Sequence, residues 1–187
     1  HPQHPLVAAL RFHAGDCLMR AGQPAEADQQ FDQVIAASPK DHEWVDDALR
    51  GKVQAAFRLD NHEGLDDQAA KFAARFPQSP FQADVQRLLA RSLLQRKQYP
   101  RAVEVLEPLA KTGEAAAPDP QDRYLLSLAY EGLARHQDAL DVLSPVIGSD
   151  ADELQVDAQS ARGSLLMKLQ RFDQAIGLCR RAGFRRV

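Results

Sequence analysis

The sequence is poor in the features that announce chemistry. Its two cysteines, Cys17 and Cys179, stand near opposite ends of 187 residues and supply no disulfide framework. No stretch approaches the roughly 18 apolar residues that a membrane-crossing helix needs. A net charge of −3 gives no overall pull toward nucleic acid or an anionic membrane. There is no glycine-rich phosphate loop, no HExxH, no CxxC and no GxSxG, so the common signatures of nucleotide, zinc and acyl-transfer chemistry are missing. Neither an initiator Met nor a signal peptide opens the chain, which begins HPQHP and is expected to be a piece or processed form of something longer.

What is present is enough to bury a core: 44% hydrophobic and 26% charged residues, close to the globular average. The organisation shows first between Phe76 and Leu109. Ser79 and Pro80 carry helix-start chemistry, a hydroxyl to cap the first turn and a proline at the first helical position. Val85, Leu89 and Leu93 then mark one face of a helix. After the polar Arg96–Gln98, Pro100 opens a second helix with Ala102, Val105, Leu106 and Leu109. The segment Ala102–Leu109 (AVEVLEPL) returns as Ala139–Val146 (ALDVLSPV), and the small-residue anchors Ala27, Leu65, Ala102, Ala139 and Ala175 stand 38, 37, 37 and 36 apart. A fixed period of this size means helix pairs, each with an apolar face that only a neighbouring pair can cover.

Several residue types invite a sharper reading. His13 and Cys17 lie four apart on the first helix, but no third group orients them, so they are read as packing residues. His1 and His4 could hold a metal and are read as a loose terminus; His42, His62 and His136 fall at turns. The pairs Asp46–Asp47 and Asp66–Asp67 are placed in first turns of helices, where carboxylates suit the macrodipole. Arg180, Arg181, Arg185 and Arg186 are read as a helix end with exposed arginines. Asp119–Pro120 repeats the Ser79–Pro80 start, Gly148–Asp152 gives a stop followed by a cap, and Lys111–Pro118 is the longest linker. Pro108 and Pro145 hold one position late in successive second helices, which should bend or end there.

The pattern of these units resembles the tetratricopeptide repeat (TPR) family. Unit one matches it with Gly15, Leu18, Ala27, Phe31 and Pro39; unit three with Ala90, Leu93, Ala102 and Leu106, plus Tyr99 in its turn. Unit four offers Leu126, Ser127, Tyr130, Ala139 and Leu143, and unit five Gly163, Leu166, Phe172, Ala175 and Cys179. Unit two departs, with Leu65 for the small residue and Lys52 where an apolar one is usual. The resemblance implies an all-α, right-handed superhelical solenoid of about five antiparallel helix pairs in one domain, with units near 8–45, 46–82, 83–119, 120–155 and 156–187. The repeats exceed the usual length of about 34 residues. With Arg75–Pro80 (RFPQSP), that length is similar to the bacterial periplasmic subgroup that holds the lipoprotein BamD and Tol–Pal-associated proteins.

In such arrays the first helix of each pair lines a concave groove. Carried over, the groove is Phe12, Asp16 and Met19; Arg50, Gln54 and Phe57; Asp84, Arg87, Arg91 and Leu94; Tyr124, Leu128 and Glu131; and Ser160, Ser164 and Met167. The expected function is a non-catalytic scaffold that binds a protein or peptide there, without metal or cofactor. Arg50, Arg87 and Arg91 at its centre suit an acidic or C-terminal segment, since guanidinium groups take carboxylates bidentately. The alternative is that they pair with local acids such as Asp47 and Asp84. The Asn- and Lys-based carboxylate clamp of some TPR domains is lacking, because the only Asn, Asn61, sits in a turn. Nucleic acid and a membrane span are not expected; self-association through uncovered repeat faces, or service as the accessory region of a larger enzyme or sensor, are the other readings.

Overall fold

The computed structural model describes residues 5–37, 44–111, 119–146 and 152–181. Outside them lie Pro39, His1, His4, His42, the linker residues up to Pro118, the Gly148–Asp150 stop, Arg185 and Arg186; the side chains of Cys179, Arg180 and Arg181 are outside as well. Among the described residues the fold is all-α. The helices are α1 (Pro5–Arg20), α2 (Pro24–Ala37), α3 (Trp44–Arg58), α4 (His62–Arg75), α5 (Gln82–Gln95), α6 (Tyr99–Lys111), α7 (Pro120–Gly132), α8 (His136–Leu143), α9 (Asp152–Lys168) and α10 (Phe172–Arg181). A single 3₁₀ turn, Ser144–Val146, follows α8.

Five turns set the register. Each first helix of a pair ends on a residue in the left-handed backbone region: Gly22 (φ 77°), Asp60 (51°), Lys97 (58°), Ala134 (57°) and Gln170 (58°). Every one stands five residues before its unit's anchor, so the structure repeats with the period of the sequence. The next amide reaches back over the turn in all five: Gln23 to the Leu18 carbonyl at 2.9 Å, Asn61 to Ala56 at 3.0 Å, Gln98 to Leu93 at 2.8 Å, Arg135 to Tyr130 at 2.9 Å and Arg171 to Leu166 at 2.8 Å. These are Schellman closures, which satisfy the last carbonyls of a helix and turn the chain sharply enough to return antiparallel. Unit two closes like the others, so its departures in sequence do not shift its register.

The expected helix ends hold in part. Asp119 caps α7, its carboxylate accepting from the Gln121 amide at 2.9 Å, with Pro120 in the first turn. Ser79 does accept from a backbone amide, that of Phe81 at 3.2 Å, but α5 begins at Gln82, past Pro80. Asp46 and Asp47 lie in the first turn of α3 as expected, whereas α4 starts at His62 under an Asn61 cap and puts Asp66 and Asp67 beyond its first turn. α8 ends before Pro145; α6 does not end at Pro108 and continues to Lys111. A lost bond at Pro108 late in the helix costs little of the ladder, because only the final turn follows it.

The chain forms two compact units, residues 1–92 and 93–187. In the first, Ala8, Met19, Ala27, Phe31, Val34, Ala48 and Ala55 join α1, α2 and α3 into one apolar cluster, and a second cluster built on Val45, Leu49, Val53, Leu65, Phe72 and Val85 joins α3, α4 and α5. Phe31 is the wedge of the first. A Cβ at Gly15 would lie 2.5 Å from its ring, and one at Gly51 2.6 Å, so glycine on α1 and on α3 lets both helices close on one aromatic side. Lys52 has the other solution to a tight seam. It is 7% exposed, and its ammonium bonds Asp28 and Asp32 of α2 at 2.8 Å each. Burial alone would lower its pKa, but the two acids outweigh that and raise it. A cation at an apolar register is therefore tolerated because the preceding helix brings two carboxylates to meet it.

In the second unit the buried residues come from each helix in turn, among them Leu106, Leu126, Ala129, Leu143, Leu165 and Leu166. Here a Cβ at Gly132 of α7 would run into the ring of Tyr99 at the start of α6. Tyr130, 6% exposed, donates its hydroxyl to Glu107 of α6 at 2.7 Å and lies beneath the Arg135 guanidinium at 4.4 Å.

Candidate partner-binding surface

The residues expected to line the groove come from the first helix of each pair, and the structure sorts them by burial. Within residues 1–92, Met19 does not belong to a binding surface. It is 4% exposed and part of the α1–α2–α3 core, because it occupies the last turn of α1 just before the closure at Gly22. Its carbonyl accepts from Arg58 of α3. Phe12 and Phe57 are partly buried against their clusters, and Phe12 lies 5.1 Å from the Trp44 ring. Asp16 pairs along its helix with the exposed Arg20 at 3.0 Å. Gln54 is partly exposed.

The arginines are the informative members. The Arg50 guanidinium lies 4.3 Å above the Phe81 ring and 3.5 Å from Asp47, while its Nε is buried and has no hydrogen-bond partner among the described residues. Arg87 pairs with Asp84 at 2.9 Å, and Arg91, one turn further along α5, is exposed. Both local pairings considered from the sequence are thus made, at very different quality. The Arg87 contact is a full hydrogen bond, whereas the Arg50 contact lies at the limit of one. Around Arg50, Asp46 accepts from the Ser79 hydroxyl at 3.2 Å, which ties α3 to the turn before α5. Burial and the neighbouring Asp46 charge raise the Asp47 carboxyl above its ordinary pKa, although Arg50 pulls the other way. Asp47 meets Arg50 only at the limit of a hydrogen bond, and the Arg50 Nε is left without a partner among the described residues.

Within residues 93–187, Leu94, Tyr124 and Leu128 are half-buried, and Ser160, Ser164 and Met167 are exposed, Met167 at 54%. Glu131 is held by Lys168 of α9 at 2.6 Å. Burial, then the charges of Asp157 and Glu131, raise the Tyr124 phenol, so it stays a neutral donor.

No periodicity in the sequence signals the recess that α2, α3 and α4 form together. Ile35 of α2, Leu49 and Lys52 of α3, and Lys71 and Arg75 of α4 line a recess of about 390 Å³. Its cations already have partners, Lys71 with Asp67 at 2.6 Å and Lys52 with Asp28 and Asp32, so it offers shape more than charge. Among the described residues no group of three or more His, Cys, Asp and Glu is placed to hold a metal ion, and no helix is long and apolar enough to cross a membrane. Cys17 is a free, exposed thiol, and the His13 ring lies against Phe12 and Trp44, at 5.6 and 5.4 Å.

Solved structures share this arrangement. MamA from Desulfovibrio magneticus RS-1 superposes with a TM-score of 0.73 over 92% of this chain and 95% of its own, at 22% identity. The nearly identical TPR-like repeats of a putative kinesin light chain from Podosopora anserina give 0.74 over 98% and 99%, at 19% identity. A tetratricopeptide repeat protein from Parabacteroides merdae gives 0.70 over 97% of this chain and 66% of its own, at 14% identity. At these identities the likeness is one of fold. No curated protein matches by sequence. The family profile described as Tetratricopeptide repeat, however, matches residues 3–42 and 124–184, more than half of the chain. With five helix pairs in one register, five matching closures and that profile, the chain belongs to the tetratricopeptide repeat family.

Proposed function

We propose that this chain is a non-catalytic scaffold that takes an acidic segment of a protein partner on the first-helix face of residues 1–92, around Arg50, Arg87 and Arg91. TPR arrays as a class mediate protein–protein interaction, which is the coarse part of this reading. The observation that carries the finer part is Arg50. Its guanidinium is stacked on Phe81 and so fixed in plane, weakly paired to a carboxyl with a raised pKa, and has an unsatisfied Nε. A partner carboxylate meeting the terminal amines of that fixed, planar group would be held at a geometry lysine could not offer. Arg91 adds an exposed positive charge two turns from the start of α5, and the half-buried Phe57 stands two turns after Arg50 on α3.

Peptide display on the purified chain tests this, with a counter-selection on an Arg50→Glu/Arg91→Glu variant that keeps its helical circular dichroism. Peptides specific to the unmodified chain should be rich in Asp and Glu, and binding should weaken as salt rises. Selected peptides without acidic bias, or retained by the variant, would move the site elsewhere. The repeat length and the Arg75–Pro80 turn favour a bacterial periplasmic protein of the BamD-like, Tol–Pal-associated kind; fractionation of a tagged chain in its source cell checks this, and a cytoplasmic location would defeat it.

A further inference from the structure

Lys52 has a counterpart that the chain does not neutralise. Thirteen residues before their anchors stand Lys52 on α3, Leu89 on α5, Leu126 on α7 and Arg162 on α9. Lys52 receives Asp28 and Asp32 from the preceding second helix, and leucine removes the need for an acid in the next two pairs. At Arg162 the preceding second helix is α8, where the places of Asp28 and Asp32 hold Leu140 and Ser144. Leu140 is buried, and the Ser144 hydroxyl turns back to the Leu140 carbonyl at 2.8 Å. Arg162 is therefore half-buried with no acid brought to it. Its Nε is buried without a hydrogen-bond partner, and the guanidinium forms no ion pair among the described residues. A cation in that position is costly to leave unmatched.

Arg162 lines a recess of about 320 Å³ that Asp173, Gln174, Gly177 and Leu178 of α10 complete. Leu178 is set against α9, since a Cβ at Gly163 would lie 3.7 Å from it, and no atom lies within 4 Å of the place a Gly177 Cβ would take. Asp173 carries the opposite charge and also forms no ion pair among the described residues. Two opposite charges thus line one recess without meeting. This side of the second helix is open in the inner pairs as well: Glu63 and Asp67 on α4, Pro100 and Glu104 on α6, and Gln137 and Asp141 on α8 hold the places of Asp173 and Gly177, and all six are exposed. What sets the fifth pair apart is the pair of unmatched charges, not its place in the chain.

We propose that this recess binds a small zwitterion, a free α-amino acid with an apolar side chain. Its carboxylate meets the Arg162 guanidinium, its ammonium meets Asp173, and its side chain lies along Leu178. A molecule with one charge is the poorer fit: a plain anion faces repulsion from Asp173, and a plain amine from Arg162. The volume is at the low end for ligand sites, which suits a molecule of this size. The site shares no residue with the Arg50 surface and stands or falls independently of it.

Isothermal titration of the chain with L-leucine tests this, beside isocaproate, which lacks the ammonium, and isoamylamine, which lacks the carboxylate. L-leucine should bind at one site, and each of the other two more weakly by about tenfold or more. Arg162→Met and Asp173→Asn should each weaken L-leucine by about tenfold, whereas Lys52→Met should leave it unchanged. A second readout needs no variant to fold. On the unmodified chain the amide resonance of Gly177 should shift saturably as L-leucine is added, and that of Gly132 should stay in place. The absence of saturable binding overturns the proposal, as does a Gly177 signal that does not move. Equal binding of isocaproate, or binding that survives Arg162→Met, overturns it as well.

Discussion

The seam between α2 and α3 and the seam between α6 and α7 occupy the same place in the repeat, yet they are closed by different chemistry. In the first, Phe31 sits between Gly15 and Gly51, and the buried polar group is a cation, Lys52, that takes two carboxylates. In the second, Tyr99 lies against Gly132, and a neutral phenol, Tyr130, gives one hydrogen bond to Glu107. The turns differ too: Gly22 takes the left-handed conformation without steric cost, while Ala134 carries a Cβ through it. What the repeat fixes is the closeness of the helices. How a seam gets an aromatic, a glycine and a satisfied polar group into that space is left open, and the two solutions respond differently to substitution and pH.

The largest expected effect falls on the wedge. Phe31→Ala removes the ring that fills the space between α1 and α3 and should destabilise the chain by about 3–5 kcal/mol in urea unfolding. A loss near that of an exposed substitution would mean the two glycines close on each other without it. Next comes the buried cation. Lys52→Ala leaves Asp28 and Asp32 facing each other and should cost about 1–3 kcal/mol. Lys52→Met keeps the volume and, since replacing an ion pair by an apolar group is often neutral, should cost less than Lys52→Ala. If Met is the worse of the two, the lysine acts through more than its charge and bulk.

The phenol should matter less, about 1 kcal/mol for Tyr130→Phe, and its signature is pH. The Tyr130 pKa is raised to about 12, chiefly by burial and then by Glu107, so the folded chain holds that proton more tightly than the unfolded one. Its stabilisation is complete below pH 10 and lost as pH climbs toward 12. The Lys52 pKa is also raised, so its contribution too is present below its ordinary 10.5 and lost as pH rises through the higher folded value. Glu107 runs the other way. Hydrogen bonds from Lys111 and Tyr130 lower its pKa, so its contribution is present above the ordinary 4.5 and lost as pH falls through the lower value. Glu107→Gln should flatten the acid limb of the stability profile and Lys52→Met should not. An acid limb unchanged in Glu107→Gln would remove that carboxylate from the account. The smallest effect separates the turns: Ala134→Gly should gain and Gly22→Ala lose roughly 0.5–1 kcal/mol, and shifts of the same sign would show that the closures do not share one strain.

Much of this was legible beforehand for a physical reason. A repeat forces small residues to recur where backbones meet, so Ala27, Ala102, Ala139 and Ala175 announced the period, and Asp119–Pro120 announced a helix start through local capping chemistry. The candidate surface was less legible, because register says which way a residue faces and not how deeply a neighbour covers it. Met19 followed the groove pattern and is core. Lys52 looked like a breach of the pattern and is satisfied from a helix twenty residues earlier.

The sequence by itself determined the all-α fold, the five helix pairs and their spacing, since periodicity and turn chemistry are local properties written in consecutive residues. Only the tertiary structure decided which member of each face is buried: that Phe31 wedges two glycines from different helices, that Arg50 is stacked but incompletely paired, and that Leu10 and Phe172 lie in the open. Those outcomes depend on distances between residues far apart in the chain, which no local pattern records.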